Sequence, residues 1–305
     1  MVYDVIIIGS GPAGLSAAIY AKRAELSFLV IEKAAVSGGQ IINTYEVDNY
    51  PGIPGIGGFD LGMKFREHAD RLGAEFVNGE VSEFYLEGDN KIIILDDGSK
   101  FTAKSVIIAT GGVPRHLDVP GETELSGMGV SYCATCDGAF FKNKTVAVVG
   151  GGDVAVEDAI FLARLCKHVY VIHRRDEFRA SKSISSKLLK MDNVTVIWNS
   201  VVEKINGTDM VESIEVVNTQ TKEHTTYEVS GVFIAVGYIP NSQIYSKIVK
   251  VNEAGYIIAG ESCETNIPGI FAAGDVRTKE LRQIITAAAD GANAITAVEK
   301  YLNNI

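Results

Sequence analysis

Tyr3-Asp4-Val5-Ile6-Ile7-Ile8-Gly9-Ser10-Gly11-Pro12-Ala13-Gly14 is an apolar run that breaks into glycines. Tyr3 to Ile8 has the nearly unbroken apolarity of a strand buried on both faces of a parallel sheet. Beyond the glycines, Leu15 to Ala24 has the spacing of an amphipathic helix. Ser27 to Ile31 then predicts a second strand that ends at Glu32. Strand, turn, helix and strand make a βαβ unit, and its turn spells G-x-G-x-x-G. The first glycine permits the tight turn, the second lets a pyrophosphate approach the backbone, and the third lets helix pack on strand. Glu32 lies 23 residues after Gly9, where a carboxylate accepts hydrogen bonds from a ribose. A turn that served packing alone would not need that acid. The unit is expected to bind a dinucleotide, with its pyrophosphate at the helix N-terminus.

The same pattern begins again 141 residues later. Thr145 to Val149 reads as a strand, Gly150-Gly151-Gly152-Asp153-Val154-Ala155 as the turn, Val156 to Leu165 as the helix and His168 to Ile172 as the next strand. Alanine is acceptable at the last position of the turn. Counting 23 residues from Gly150 reaches His173, followed by Arg174, Arg175 and then Arg179, so no carboxylate stands there. Cations at that point favour a 2′-phosphate, because arginine presents a planar fork to phosphate oxygens. The second unit is therefore expected to bind NADPH. Two dinucleotide sites need two occupants, and a flavin is the usual carrier between nicotinamide and thiol chemistry. FAD is accordingly assigned to the first unit, with Gly38-Gly39-Gln40 and Gly274-Asp275 as further contacts.

The rest of the chain fits this frame. A Gly- and Pro-rich stretch from Ser37 to Gly58 is expected to be an irregular functional loop. A helix is predicted over Phe59 to Leu72. Short antiparallel strands are predicted at Glu80 to Leu86, Lys91 to Asp96 and Lys100 to Phe101, with Asp97-Gly98 as a turn. Ser105 to Ala109 reads as a separate buried strand closed by Thr110-Gly111-Gly112. Further strands are expected at Asn193 to Trp198, Val201 to Ile205, Val211 to Val217 and Gly231 to Val236, and an alanine-rich helix from Leu281 to Tyr301. The fold class is α/β with two Rossmann-like units.

Composition narrows the class further. The 305 residues are 47% hydrophobic, which excludes a disordered chain. No apolar run approaches the roughly 18 residues needed to cross a bilayer. The first residues lack the basic start and cleavage region of a signal peptide. A net charge of −10 argues against nucleic acid as a partner. Four cysteines are too few for a disulfide-built secreted scaffold, so a reducing, cytoplasmic setting is expected.

Two of those cysteines form Cys133-Ala134-Thr135-Cys136. A zinc site would need a second pair or nearby histidines, and Cys166 and Cys263 stand apart, so no metal is expected. A CxxC beside βαβ units reads as a dithiol–disulfide centre, with burial of two inert thiols as the alternative. Asp137 follows directly and is either a proton donor to the pair or a helix cap.

These pieces together resemble the low-molecular-weight thioredoxin reductases along the whole chain. The residues that carry the resemblance are Gly9-Ser10-Gly11-Pro12-Ala13-Gly14, Gly38-Gly39-Gln40 and Cys133-Ala134-Thr135-Cys136-Asp137-Gly138. His173-Arg174-Arg175 with Arg179, Gly274-Asp275 and Arg282-Gln283 complete the set. The resemblance implies a homodimer with one FAD per chain and an NADPH domain inserted into a discontinuous FAD domain. Here the FAD domain would be residues 1–115 plus 246–305, around an insert of 116–245 that carries the CxxC. It implies that Cys136 faces the flavin, that Cys133 attacks the thioredoxin disulfide and that Asp137 is the general acid. Gly39, Gln40, Asn49, Thr110, Gly111, Asp275, Arg282 and Gln283 would line the flavin, and Arg174, Arg175 and Arg179 would hold the 2′-phosphate. Segments Arg115 to Glu122 and Gly237 to Ser242 would be hinges. Val154 departs from the family, where Ser or Thr is frequent, and removes one hydroxyl near the pyrophosphate.

Other readings share parts of this set. A reductase of a peroxiredoxin or a glutaredoxin-like protein would use the same scaffold. The flavin subunit of alkyl hydroperoxide reductase has an N-terminal thioredoxin-like extension, which is not expected of a chain read as starting at its first strand. A ferredoxin–NADP reductase would not need the cysteine pair. Ferredoxin-dependent relatives have lost the nucleotide motifs, which the arginine cluster argues against. A non-catalytic flavin-binding sensor would require an inert CxxC.

Overall fold

The structure, a computed structural model, describes residues 1–44 and 46–305. The chain divides into two compact units, Met1–Val113 with Ile239–Ile305, and Pro114–Tyr238. The first unit opens with β1 (Val2–Ile8), α1 (Pro12–Arg23) and β2 (Phe28–Glu32). Pro12 stands in the first turn of α1, where its missing N–H costs nothing. The stretch after β2 contains 3₁₀ helix at Gly39–Asn43, and its other described residues form no helix or strand, as the glycines and prolines predict. Then come α2 (Gly58–Arg71), β3 (Phe76–Asn78), β4 (Val81–Glu87), β5 (Asn90–Leu95), β6 (Lys100–Ile108) and β7 (Gly112–Pro114).

The second unit contains β8 (Val130–Ser131), α3 (Ala134–Asp137), β9 (Thr145–Val149), α4 (Asp153–Ala163), β10 (His168–Ile172) and α5 (Lys182–Leu188). It continues through β11 (Val194–Ile197), β12 (Ser200–Gly207), β13 (Val211–Asn218), β14 (His224–Glu228) and β15 (Gly231–Ile234). The chain then re-enters the first unit with β16 (Tyr238–Pro240), β17 (Ile270–Ala272) and α6 (Ile284–Leu302). β7 and β16, the two crossover strands, pair with each other.

Both units have the same three layers. In the first, β3-β2-β1-β6-β17 form a parallel sheet, and β4-β5-β6 an antiparallel meander. β6 serves both, which corrects the expectation of two strands at Lys100–Phe101 and Ser105–Ala109. Its first residues pair antiparallel with β5 (Lys100 to Ile94), and its later ones pair parallel with β1 (Ile108 to Ile8). In the second unit, β11-β10-β9-β15-β8 are all parallel and β12-β13-β14 make the meander.

Strand alternation builds the cores between the layers. On β1, Val5 and Ile7 pack with α1 and α6, whereas Ile6 and Ile8 pack toward the meander. On β9, Val146 and Val148 face α4, and Ala147 and Val149 face the meander. In the first unit α1 and α6 lie backbone to backbone. A Cβ added at Gly291 would stand 2.2 Å from the Ala13 carbonyl oxygen and 2.7 Å from the Ala17 nitrogen. Ser16 Oγ donates to the Ala288 carbonyl across the same seam (2.7 Å). Among the described residues, no helix is long and apolar enough to cross a membrane.

Candidate active site

The first glycine turn divides its labour as steric logic requires. A Cβ at Gly9, whose φ is +106°, would lie 2.4 Å from the Ala109 oxygen, and one at Gly14 would meet the Gly9 oxygen at 1.8 Å. Gly11 has nothing nearer than 3.9 Å, so its face is open to an approaching phosphate. Gly38 and Gly39 press onto this turn: the Gly38 N–H donates to the Ser10 carbonyl (2.9 Å), and a Gly39 Cβ would meet Gly11 Cα at 3.2 Å. Gly274 lies against its other side, its added Cβ 3.0 Å from that of Ala13.

Ser10 is fully buried and fixes Glu32. Its N–H and hydroxyl donate to Glu32 Oε2 at 2.6 and 2.7 Å, and the Ala34 N–H donates to Oε1 (2.8 Å). The carboxylate is thus held at the turn by the protein itself. Ser37 and Arg66, not singled out by the sequence pattern, extend this network: Arg66 donates to Ser37 Oγ (2.9 Å), which contacts Ser10 Oγ (2.9 Å).

The remaining flavin-side candidates fall into two clusters. Asn49 Nδ2 donates to Gln283 Oε1 (2.8 Å), and Gln283 caps α6 in a box with Thr286. Gln40 Nε2 donates to the Gly112 carbonyl (2.6 Å). Thr110 Oγ1 donates to the Asn241 carbonyl (2.7 Å), and Asn241 returns hydrogen bonds to Thr110 O and Gly111 O. Asn241 was missed because its sequence neighbours carry no cofactor motif.

Asp275 is the most informative of these residues. Its Oδ1 is buried with no hydrogen-bond partner, as is Nε of Arg282, whose guanidinium lies 4.1 Å over the Tyr256 ring. Burial pushes the Asp275 carboxyl above its ordinary value, against the pull of Lys279 and Arg282. Unpartnered buried polar atoms beside an open glycine turn are what a bound polar cofactor would satisfy. The loop carrying them is anchored by Asp290 of α6. Arg277 donates to Asp290 through Nε (2.8 Å) and Nη2 (2.6 Å), Lys279 Nζ at 2.8 Å, and the Gly274 N–H at 2.8 Å. Burial would raise the Asp290 carboxyl, but these donors outweigh it and hold the group below its ordinary value.

In the second unit the turn is built alike. Gly150 (φ +153°) is constrained by the Ala235 oxygen, and Gly152 has open space. Asp153 Oδ1 accepts from the Ser181 N–H (2.8 Å), joining the starts of α4 and α5, and Val154 is exposed. Arg174, Arg175 and Arg179 are exposed, and among the described residues their guanidinium groups make no ion pair. His173 differs from the expectation that grouped it with them. Its ring is buried against Gly151, where an added Cβ would stand 2.2 Å away, and contacts the Glu177 carbonyl through Nε2 (3.0 Å). Burial, followed by the three arginines, pushes its pKa down despite that contact. His173 shapes the loop, and the exposed cations are the arginines.

Cys133 and Cys136 form a disulfide across the single turn of α3, with Cα atoms 5.3 Å apart. The Cys136 and Asp137 N–H groups both donate to the Cys133 carbonyl (3.2 and 3.1 Å). Asp137 is one turn beyond Cys133, and burial raises its carboxyl above the ordinary value. Cys166 and Cys263 are buried single thiols. Among the described residues no group of side chains could hold a metal ion.

The family model described as pyridine nucleotide-disulphide oxidoreductase matches residues 3–291. The chain is 47% identical over 308 residues to a thioredoxin reductase of Peptoclostridium acidaminophilum, covering 99% of this chain and 97% of the relative. It is 44% identical to that of Bacillus subtilis, covering 100% and 96%. Among solved structures, thioredoxin reductase from Streptococcus pyogenes MGAS5005 matches with a TM-score of 0.94 at 46% identity, covering 100% of this chain and 99% of that one. The enzyme from Giardia duodenalis matches with a TM-score of 0.93 at 34% identity, covering 99% of each.

Proposed function

We infer the function from one premise: the chain belongs to the pyridine nucleotide-disulphide oxidoreductase family and, within it, to the low-molecular-weight thioredoxin reductases. It is an NADPH-dependent thioredoxin-disulfide reductase, passing electrons through FAD and the Cys133–Cys136 pair to thioredoxin. The observation that carries this reading is the Cys133–Cys136 disulfide, with a half-buried acid one turn on, in a chain whose two glycine turns each leave one glycine open.

The first unit is the FAD-binding one. Gly11 gives the pyrophosphate its approach, Glu32 meets the ribose, and Asp275 accepts a hydrogen bond from a flavin-side hydroxyl. Gly39, Gln40, Asn49, Thr110, Gly111, Arg282 and Gln283 complete the lining. Bound flavin supplies the carrier that accepts hydride from reduced nicotinamide and delivers electrons in pairs to a disulfide. The second unit binds NADPH, with Gly152 open to the pyrophosphate and Arg174, Arg175 and Arg179 on the 2′-phosphate. Cys133 attacks the thioredoxin disulfide as thiolate, Cys136 resolves the mixed disulfide, and Asp137 holds the proton that the leaving sulfur needs. The working assembly is a homodimer.

The test is thioredoxin-dependent reduction of a chromogenic disulfide, comparing NADPH with NADH, in wild type and Cys136→Ser. Activity with NADPH is expected to fall at least about a hundredfold in the variant while NADPH still bleaches the flavin. Bleaching with thioredoxin left oxidised in the wild type would redirect the assignment to another disulfide protein. No bleaching with either nucleotide would overturn the electron donor.

A further inference from the structure

Ser131 ends β8 two residues before the redox pair and is 5% exposed. Its Oγ lies 2.5 Å from Asp137 Oδ2, 3.1 Å from the Cys133 nitrogen and 3.3 Å from the Cys133 carbonyl oxygen. A serine hydroxyl has one proton to give. The contact to Asp137 is the shorter and falls in the range of charge-assisted O–H···O⁻ bonds. The hydroxyl therefore donates to Oδ2 and accepts from the Cys133 N–H. One side chain thus ties the acid to the backbone of the cysteine that meets the substrate.

We propose that Ser131 is the positioning residue of the acid: by donating to Oδ2 it leaves Oδ1 to carry the transferable proton and fixes the carboxyl's orientation relative to Cys133. This rests on Asp137 acting as general acid. When the Cys133 thiolate attacks, a bond forms between its sulfur and one thioredoxin sulfur, and the thioredoxin disulfide breaks. The other thioredoxin sulfur departs as a thiolate with the bonding pair and takes the proton from Oδ1. The carboxylate left behind is met by the Ser131 hydroxyl at Oδ2. Cys136 then displaces the second thioredoxin sulfur and closes the enzyme disulfide. Its proton passes through the same carboxylate to that sulfur, so two electrons and two protons have moved to thioredoxin.

The charged surroundings are few. α4, which packs against α3, brings Asp153, Glu157 and Asp158, and Asp158 is pushed up to about 6 by burial and then by Glu157. β15, beside β8, and the turn Gly138–Phe141 bring no charged residue. Burial raises the Asp137 carboxyl and the Ser131 hydrogen bond lowers it. Loss of the hydroxyl therefore moves the group further up.

The test compares Ser131→Val with Ser131→Thr in the flavin-loaded enzyme. The two substitutions have the same shape and differ only in the hydroxyl. A general acid must be protonated, so activity falls as pH rises through its pKa. With Ser131→Val the alkaline limb of kcat is expected to move up by about one pH unit, on the scale of a lost hydrogen bond to a charged group. kcat at neutral pH is expected to fall about tenfold with KM for thioredoxin unchanged, on the same scale. Ser131→Thr should restore both. Asp137→Asn should abolish the limb. If Asp137→Asn abolishes it while the Val and Thr variants share one pH profile, the role given to Ser131 is wrong and that of Asp137 stands. If the limb survives in Asp137→Asn, the acid assignment falls and this proposal with it. Should the Val variant lose its flavin spectrum, Ser131→Ala makes the same comparison without added bulk.

Discussion

At the scale of single residues, Asp275 carries a cost that the proposed flavin contact would relieve. Its carboxyl is pushed above 3.8 by burial, and Oδ1 has no partner. A carboxyl whose folded pKa exceeds its unfolded one destabilises the fold when ionised. That penalty is absent below about pH 3.8, grows as pH rises from there to the raised folded value, and stays constant above it. Asp275→Asn is therefore expected to stabilise the flavin-free protein at neutral pH by about 1 kcal/mol, with the gain vanishing in acid. The same change should weaken FAD binding about tenfold, since the amide oxygen is an uncharged and weaker acceptor than the carboxylate. Urea unfolding of the apo protein at pH 4 and 7, with flavin titration, checks both halves. The cysteine pair and the glycine turns were legible in the sequence, because their chemistry depends on spacing along one short segment. The inward turn of the His173 ring over Gly151 is not legible in the sequence, because counting along the chain gives a position but not a direction. Ser131 carried no signal at all: a lone serine gains meaning only once Asp137 is seen folded back onto it.

At the scale of elements, the seam between α1 and α6 bears most on the site. α6 supplies Asp290, which anchors the loop bearing Asp275, and α1 carries the glycine turn. Their approach depends on Gly291, since a Cβ there overlaps backbone atoms of α1 that cannot rotate away. Gly291→Ala is expected to cost about 3 kcal/mol by forced separation of the helices. It should also release FAD, visible as a lower urea midpoint and a loss of the flavin spectrum on dialysis. The long parallel strands could be read from their apolar runs, and the first meander and β12 and β13 of the second from short strand-like segments. β14 could not, because His224-Thr225-Thr226-Tyr227-Glu228 is a polar edge strand with no face to bury. α3 and α5 were missed for a different reason: helices of four and seven residues are too short to show a period. β6 was split in two because Ala103-Lys104-Ser105 interrupts the apolar run, although two sheets share the strand there.

At the scale of the whole molecule, the two units differ in continuity. Pro114–Tyr238 is a single stretch with its own parallel sheet, meander and two apolar cores, whereas the other unit is assembled from two stretches. A continuous unit with a complete core is expected to fold alone. The fragment 114–238 should give a cooperative thermal transition and bind NADPH, and calorimetry with and without the nucleotide checks it. Fragment 1–113 should remain without fixed tertiary structure, because β17 and α6 are missing from its sheet and its helical layer.

That discontinuity sets an order of events during biosynthesis. Between the end of β6 and its partner β17 lie roughly 160 residues, about 8–30 s of translation at 5–20 residues per second. For that interval Val106 to Ile108 present a bare sheet edge, while the inserted unit already has everything it needs to close. The loop that bears Asp275 is fixed later still, when the last helix arrives with Asp290 to anchor it. Each growing chain thus passes through a stage with one finished half and one waiting half, and it is on the waiting half that chaperones and proteases would act.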